Sequence, residues 1–304
     1  MAKKLILYFL LLTILSILSC GKKEEIKNIN LSEPAEKIET KIPQNAIRVG
    51  IAAVLSPKEG FLYYKELLDY IANKISRPIV LTQGRYEEIN RMLKSNQIEL
   101  AFVCSGAYIE VHSESKAELL VVPVVNNKTE YYSYIIVHKE SKIKNFADLK
   151  GKSFAFTDPL SNSGYLFPVF LVAKKGKTYQ SYFSRTIFTY SHDNSIIAVA
   201  EKLVDAAAVD SLIYDWLSET NPELISRTKI ILTSPPFGIP PIVVSKNVDV
   251  KIKDNLRKIF LELDKDQKGR NILAKLKIDK FVIGSDRMYD SIRIMKAKVK
   301  KLTE

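Results

Sequence analysis

Between Phe154 and Lys174 the chain passes from a short apolar run into a helical pattern through Asp158-Pro159-Leu160-Ser161-Asn162-Ser163-Gly164-Tyr165. Residues of these types at such a junction suit anion chemistry. The first turn of a helix carries backbone N–H groups without internal partners and the positive end of the peptide dipole, and Ser161, Asn162 and Ser163 add side-chain donors at the same point. They suit an ordinary N-cap as well, because Ser and Asn satisfy those N–H groups in helices of every function. Spacing alone leaves both readings open, and the cap is the commoner of the two. A second polar junction, Ser191-His192-Asp193-Asn194-Ser195, opens the next helical pattern and holds one of only three histidines, where a structural role is the usual one. Ser163, His192 and Asp210 also supply the residue types of a hydrolase triad. No Gly-x-Ser-x-Gly elbow or metal set accompanies them, and the serines lie in a turn suited to binding.

The elements that must position these residues follow from periodicity. Short runs rich in Val, Ile and Ala occur at 47–53, 79–83, 100–104, 119–125, 154–157, 186–190 and 206–210, and read as buried strands. Helical patterns at 61–76, 86–96, 165–174 and 194–203 lie between them, so the predicted class is α/β with parallel strands and ligands at strand C-terminal ends. Two passages look like crossings between lobes: Tyr131 to Lys139, and the proline-rich Ser234 to Pro241 leading into 242–245. The expected organisation is a first lobe of 47–134 plus 236–304 and a second lobe of 135–235, with a cleft that closes by hinge motion. Helical patterns at 252–263, 266–276 and 289–299 read as cover for the first lobe.

Lys3 and Lys4, the apolar run Leu5 to Leu18 and Ser19-Cys20 read as a bacterial signal peptide over 1–19, short of the roughly 18 or more apolar residues of a membrane span. Ile17-Leu18-Ser19-Cys20 resembles a lipobox, so Cys20 is the expected lipidation site, and the polar stretch up to 46 is the expected tether. The only other cysteine, Cys104, ends an apolar run and reads as a buried small hydrophobe, which leaves no disulfide framework. No zinc or iron–sulfur spacing occurs, and neither a metal nor a cofactor is expected. Formal net charge is +12, but the lysines are dispersed and no basic run is interleaved with aromatics, which argues against nucleic acid.

Several separated motifs together resemble the phosphonate, phosphite and phosphate substrate-binding proteins of ABC transporters, the PhnD-like group with a type II periplasmic-binding-protein fold. They are Tyr86-Glu87-Glu88-Ile89, Ile98 to Val103, Asp158 to Tyr165, Ser191 to Ser195, Val204 to Ser211, Pro235 to Val243 and Phe281 to Arg293. The resemblance covers nearly the whole mature body. It implies that Ser161, Asn162 and Ser163 hold the phosphonyl oxygens, with Asn162 donating through its amide where Thr is commoner. It makes His192 a ligand donor whose pKa the anion should raise, and places the hydroxyls of Tyr131 and Tyr86 on the ligand from the first lobe. His112 and His138 lack such context and read as structural or exposed. Asp210 is implied to accept a proton from a protonated ligand oxygen or to pair with a ligand cation. Where aminoethylphosphonate binders carry carboxylates this chain has Leu212 and Pro240, which favours phosphite, phosphate or a small alkylphosphonate. The function implied is a monomeric, lipid-anchored, extracytoplasmic receptor that delivers a phosphorus oxyanion to an ABC permease without catalysis. A sensing role with a membrane histidine kinase or chemoreceptor is the alternative.

Overall fold

A computed structural model describes residues 43–303. The signal segment, Cys20 and the tether up to position 42 lie outside the described residues. No helix among the described residues is long and apolar enough to cross a membrane.

The strands fall into two mixed sheets. The first has the order β13-β4-β12-β3-β1-β2, built from β1 (Ile47–Ala52), β2 (Ile79–Gly84), β3 (Leu100–Phe102), β4 (Ala117–Val124), β12 (Ile242–Ser245) and β13 (Lys280–Val282). The second has the order β10-β6-β9-β7-β8, built from β6 (Ser133–His138), β7 (Ser153–Phe156), β8 (Arg185–Phe188), β9 (Ala206–Asp210) and β10 (Thr228–Thr233). Helical crossovers return the chain in the same direction, so β1 pairs parallel with β2 and β3, and β7 pairs parallel with β8 and β9. Antiparallel pairs arise where strands join without such a crossover, as β12 does between β3 and β4 and β6 does between β9 and β10. The central strands are apolar along their whole length because helices cover both faces. β9, Ala-Ala-Ala-Val-Asp, is buried throughout, and its small residues admit the close packing of the Asn162–Leu166 turn.

The two passages between the lobes meet in a ribbon. β5 (Glu130–Tyr131) pairs antiparallel with β11 (Phe237–Gly238), Tyr131 opposite Phe237. The first passage is therefore shorter than the Tyr131 to Lys139 stretch expected, since Ser133 already pairs with Asp210 inside the second sheet. The last helix, Asp290–Thr303, also differs from expectation. It packs mainly on Phe167–Ala173, from the second lobe, and less on Ser105–Ser113, from the first, and so covers both rather than the first alone.

Helix ends carry their own side-chain caps where it matters for the site. Ser191 Oγ accepts from Asn194 N–H at the start of His192–Ala200, and Asp210 Oδ1 accepts from Leu212 N–H at the start of Ser211–Thr220.

Candidate oxyanion site between the lobes

The turn after β7 is the floor of the site. Ser161 Oγ accepts from Gly164 N–H at 2.9 Å, so Ser161 itself is the N-cap. A single wide turn of π type, Asn162–Leu166, precedes the regular helix Phe167–Ala173, where one continuous helix from Tyr165 was expected. The widening follows from close packing. A Cβ on Gly164 would stand 2.4 Å from Thr157 Oγ1 and 2.5 Å from Thr157 Cβ, so only glycine lets the turn press onto the end of β7. The opposite lobe presses equally close, because a Cβ on Gly106 would stand 2.3 Å from the Leu160 carbonyl oxygen.

This packing leaves a set of polar atoms enclosed without partners. Tyr86 OH, Asn162 Oδ1, Ser163 Oγ and His192 Nε2 are buried and have no hydrogen bond within the described residues. The four residues themselves have no measurable exposure. Asn90 Oδ1 shares this condition between two helices of the first lobe, where its amide nitrogen donates to the Ala107 carbonyl. An unsatisfied buried polar group costs about 1–3 kcal/mol, so four such atoms on segments that meet at one place mark a position for something that binds them.

Each side chain is held by its local structure. Asn162 Nδ2 donates to Tyr131 OH at 3.0 Å, which brings the ribbon residue Tyr131 to the turn. The amide nitrogen expected on a ligand is therefore engaged, and Oδ1 faces inward. Turning the amide by 180° exchanges the two and makes Asn162 a donor to the interior. Ser163 is fixed through its carbonyl, which accepts from Ser133 Oγ at 2.7 Å, leaving its own hydroxyl free. Tyr86 begins its helix with its N–H on Asp158 Oδ2 at 3.4 Å, and Asp158 Oδ1 also accepts from Leu160 N–H.

His192 is oriented by main chain. Its Nδ1 accepts from the Asp210 N–H at 3.0 Å and lies 3.1 Å from Thr157 Oγ1. A backbone N–H only donates, so Nδ1 is unprotonated and the neutral ring carries its proton on Nε2, the atom without a partner. Burial pushes the imidazole down to about 3, and a second proton at Nδ1 would face the Asp210 donor. The ring is thus a neutral donor in this state, and the rise expected from an anion starts from that depressed value. The backbone N–H of His192 donates to the Val54 carbonyl at 2.9 Å, and Asp193 Oδ1 accepts from Ser56 N–H, which ties this helix start to the first lobe.

Asp210 serves the site through two different atoms. Its N–H fixes His192, while its carboxylate, pushed up to about 7 by burial, caps the following helix through Oδ1. Ser163 Oγ makes no hydrogen bond to His192, and the His192 partner on Asp210 is the amide rather than the carboxylate, so the three do not form a hydrolytic relay. Cys104 is buried beside the site with its thiol pushed up to about 11 by burial. Thr157 is a positioning residue that sequence reasoning did not single out, since its only signal is its place at the end of a strand, and Asp158, which opens the motif, was given no role of its own although it accepts from the Tyr86 and Leu160 N–H groups. No group of side chains among the described residues could hold a metal ion.

The chain's residues 49–289 match the family model of the phosphonate periplasmic substrate-binding proteins of ABC transporters. Among curated proteins it is 30% identical over 213 residues to the phosphonates-binding periplasmic protein of Escherichia coli (strain K12), covering 68% of this chain and 63% of that one. It is 24% identical over 185 residues to a probable phosphite-binding protein of an ABC transporter from Prochlorococcus marinus (strain MIT 9301), covering 57% of this chain and 62% of the relative. The matches thus span less than two thirds of either relative. Among solved structures, a binding-protein component of a phosphonate transporter from Pseudomonas aeruginosa superposes with a TM-score of 0.81 at 26% identity, over 86% of this chain and 88% of that one. A Prochlorococcus marinus protein in complex with methylphosphonate superposes with a TM-score of 0.76 at 17% identity, over 84% and 99%, which speaks for the fold alone. With a two-lobed type II periplasmic-binding-protein fold and a family match over most of its length, this chain belongs to the phosphonate-binding family of ABC-transporter periplasmic substrate-binding proteins.

Proposed function

We propose that the protein binds a small phosphorus oxyanion, a phosphonate, phosphite or phosphate, between its lobes and delivers it to an ABC permease without turning it over. The observation that carries the reading is the enclosed set Tyr86 OH, Asn162 amide, Ser163 Oγ and His192 Nε2. These atoms come from both lobes, lie at the turn that resembles the family's phosphonyl site, and lack partners that ligand oxygens would supply. A tetrahedral oxyanion offers several acceptors to converging donors, and donors fixed in advance spare the ordering cost of binding. Asp210, with its carboxyl protonated up to about pH 7, donates to or accepts from a ligand oxygen without repelling it. Ser161, the N-cap, completes the turn, and Tyr131 acts through Asn162.

In this reading residues 47–134 with 236–304 and residues 135–235 are the two lobes, working as a monomer. Cys20 carries a lipid that holds the protein on the extracytoplasmic face of a membrane. Calorimetric titration of the ligand-stripped body with phosphite, phosphate, methylphosphonate and aminoethylphosphonate tests the receptor. Tight binding of at least one is expected, and silence with all four sinks the reading. Cys20→Ala should shift the protein from the membrane to the soluble fraction, and continued lipid labelling of that variant would remove the anchor.

A further inference from the structure

A cavity of about 300 Å³ lies between the two sheets and borders Asp210, the residue whose N–H holds His192. Its size matches the small end of ligand pockets. One wall is a run of rings in contact: Trp216 to Tyr63 at 5.1 Å, Tyr63 to Tyr64 at 4.8 Å and Tyr64 to Phe102 at 4.8 Å between centroids. It begins on the Ser211–Thr220 helix of one lobe and ends on β3 of the other. The hydroxyl of Tyr63 donates to the Leu276 carbonyl at 2.8 Å, so its polar end is already satisfied. Leu212 and Pro240, the two residues found where an ammonium-binding carboxylate was sought, both line the same space. Of the charged residues that border it, Lys128, Glu130, Asp215, Glu219 and Lys277 are exposed and form its rim, and Asp210 alone is buried.

We propose that this cavity is the subsite for the ligand's organic substituent and that the substituent is apolar and about the size of a ring: a benzyl, aryl or branched alkyl group on phosphorus. The inference rests on the receptor reading above and specifies which oxyanion the receptor takes. The enclosed polar atoms are buried and none of their residues lines the cavity, so the cavity takes the part of the ligand that lies beyond Asp210. Phosphite and phosphate have no group to place beyond Asp210 and would leave the ring-lined space to water. A primary ammonium would meet Leu212 and Pro240 and would lose its hydration against the rings, because the bordering carboxylates lie at the exposed rim or, in Asp210, already cap a helix. A hydrocarbon substituent exchanges water for such a lining, at about 25 cal/mol for each Å² of apolar surface removed from water.

The test is a calorimetric series on the ligand-stripped protein with phosphite, methyl-, propyl- and benzylphosphonate, and with aminoethylphosphonate as the charged counterpart of the propyl compound. Affinity should rise about fourfold per methylene and be highest for benzylphosphonate, while aminoethylphosphonate binds more weakly than propylphosphonate. Leu212→Gln should reduce the benzyl-to-methyl affinity ratio at least about fivefold and leave methylphosphonate within about twofold. Phosphite or methylphosphonate binding tightest, or aminoethylphosphonate above propylphosphonate, overturns the substituent assignment while the receptor reading stands. Failure of every compound, methylphosphonate included, overturns both.

Discussion

The candidate oxyanion site and the ring-lined cavity adjoin at Asp210 and are built in opposite ways. The first has enclosed polar atoms that lack partners: Ser163 and His192 are completely buried, and each presents one unsatisfied atom. The second has open space along an aromatic wall of Tyr63, Tyr64, Phe102 and Trp216. Polar recognition needs atoms fixed to a fraction of an ångström, which a strand end, a glycine-dependent turn and a helix start provide. Apolar recognition needs only shape and dryness, which side chains from distant parts of the chain supply together.

The largest expected effect uses pH to separate two residues that share one hydrogen bond. The acid Asp210 is raised to about 7 by burial, so the folded state binds its proton more tightly than the unfolded state. Its contribution to stability is complete below about pH 4 and is lost as pH rises toward 7. His192 is lowered to about 3 by burial, so its contribution is present above about pH 6.5 and is lost as pH falls toward 3. Between about pH 4 and 6.5 the two slopes, each about 1.4 kcal/mol per pH unit, oppose one another. Thermal or urea unfolding should therefore show little net slope from this pair in the wild-type protein. Asp210→Asn should gain stability as pH rises through that window, and His192→Gln should lose it. Parallel profiles for both variants would show that the pair does not titrate as its burial implies.

Removing a single enclosed atom comes next. Ser163→Ala should weaken phosphonate binding by about 1–3 kcal/mol with little change in unfolding temperature, because its hydroxyl has no partner to lose in the free protein. His192→Ala should weaken binding by a similar amount and also lower stability, because it strips a partner from both the Asp210 N–H and the Thr157 hydroxyl. Calorimetry with parallel thermal melts distinguishes the two, and unchanged affinity in both variants would break the assignment of the enclosed atoms to a ligand.

Gly164→Ala tests the support beneath those atoms. The added methyl group would meet Thr157 at about van der Waals overlap, so the turn must retreat from β7, at roughly 1–3 kcal/mol of stability. Since Thr157 also contacts His192, the variant should weaken binding as well as folding. A shift in melting temperature with affinity intact would mean that the turn and the imidazole are positioned independently.

The difference between the two regions also explains what the sequence could reveal. Seven strands and most of the longer helices follow from periodicity because each is a local pattern of apolar residues, whereas β6 lies in a stretch that reads as a crossing and β10 does not read as a strand. The turn 161–163 and the start of the helix at His192 were visible for the same reason: chemistry-bearing residues stand side by side in each. The role of the Asp210 amide was not, because a backbone donor leaves no mark in a residue's type, and attention fell on its carboxylate. Thr157 was hidden as an ordinary strand end. The early end of the first crossing depended on a pairing of Ser133 with Asp210, far apart in the chain. The cavity was least legible of all. Tyr63, Phe102, Trp216 and Pro240 each read alone as core or loop, and only tertiary packing brings them around one space.

The smallest effect is expected at the rim, where neither principle operates. Lys277, in a left-handed conformation at the end of the Gln267–Leu276 helix, pairs with Glu219 on the Ser211–Thr220 helix, so an ion pair links segments attached to the two sheets. Both side chains are about half exposed, which puts the pair in high dielectric and within reach of salt. Lys277→Ala should change phosphonate affinity by no more than about 1 kcal/mol, with the loss appearing in the dissociation rate and fading as ionic strength rises. A stopped-flow measurement of ligand release at low and high salt decides it. A salt-independent loss of ten-fold or more would mean that the rim, rather than the enclosed atoms, holds the lobes together over the ligand, and the division between a polar site that binds and a surface that merely closes would have to be redrawn.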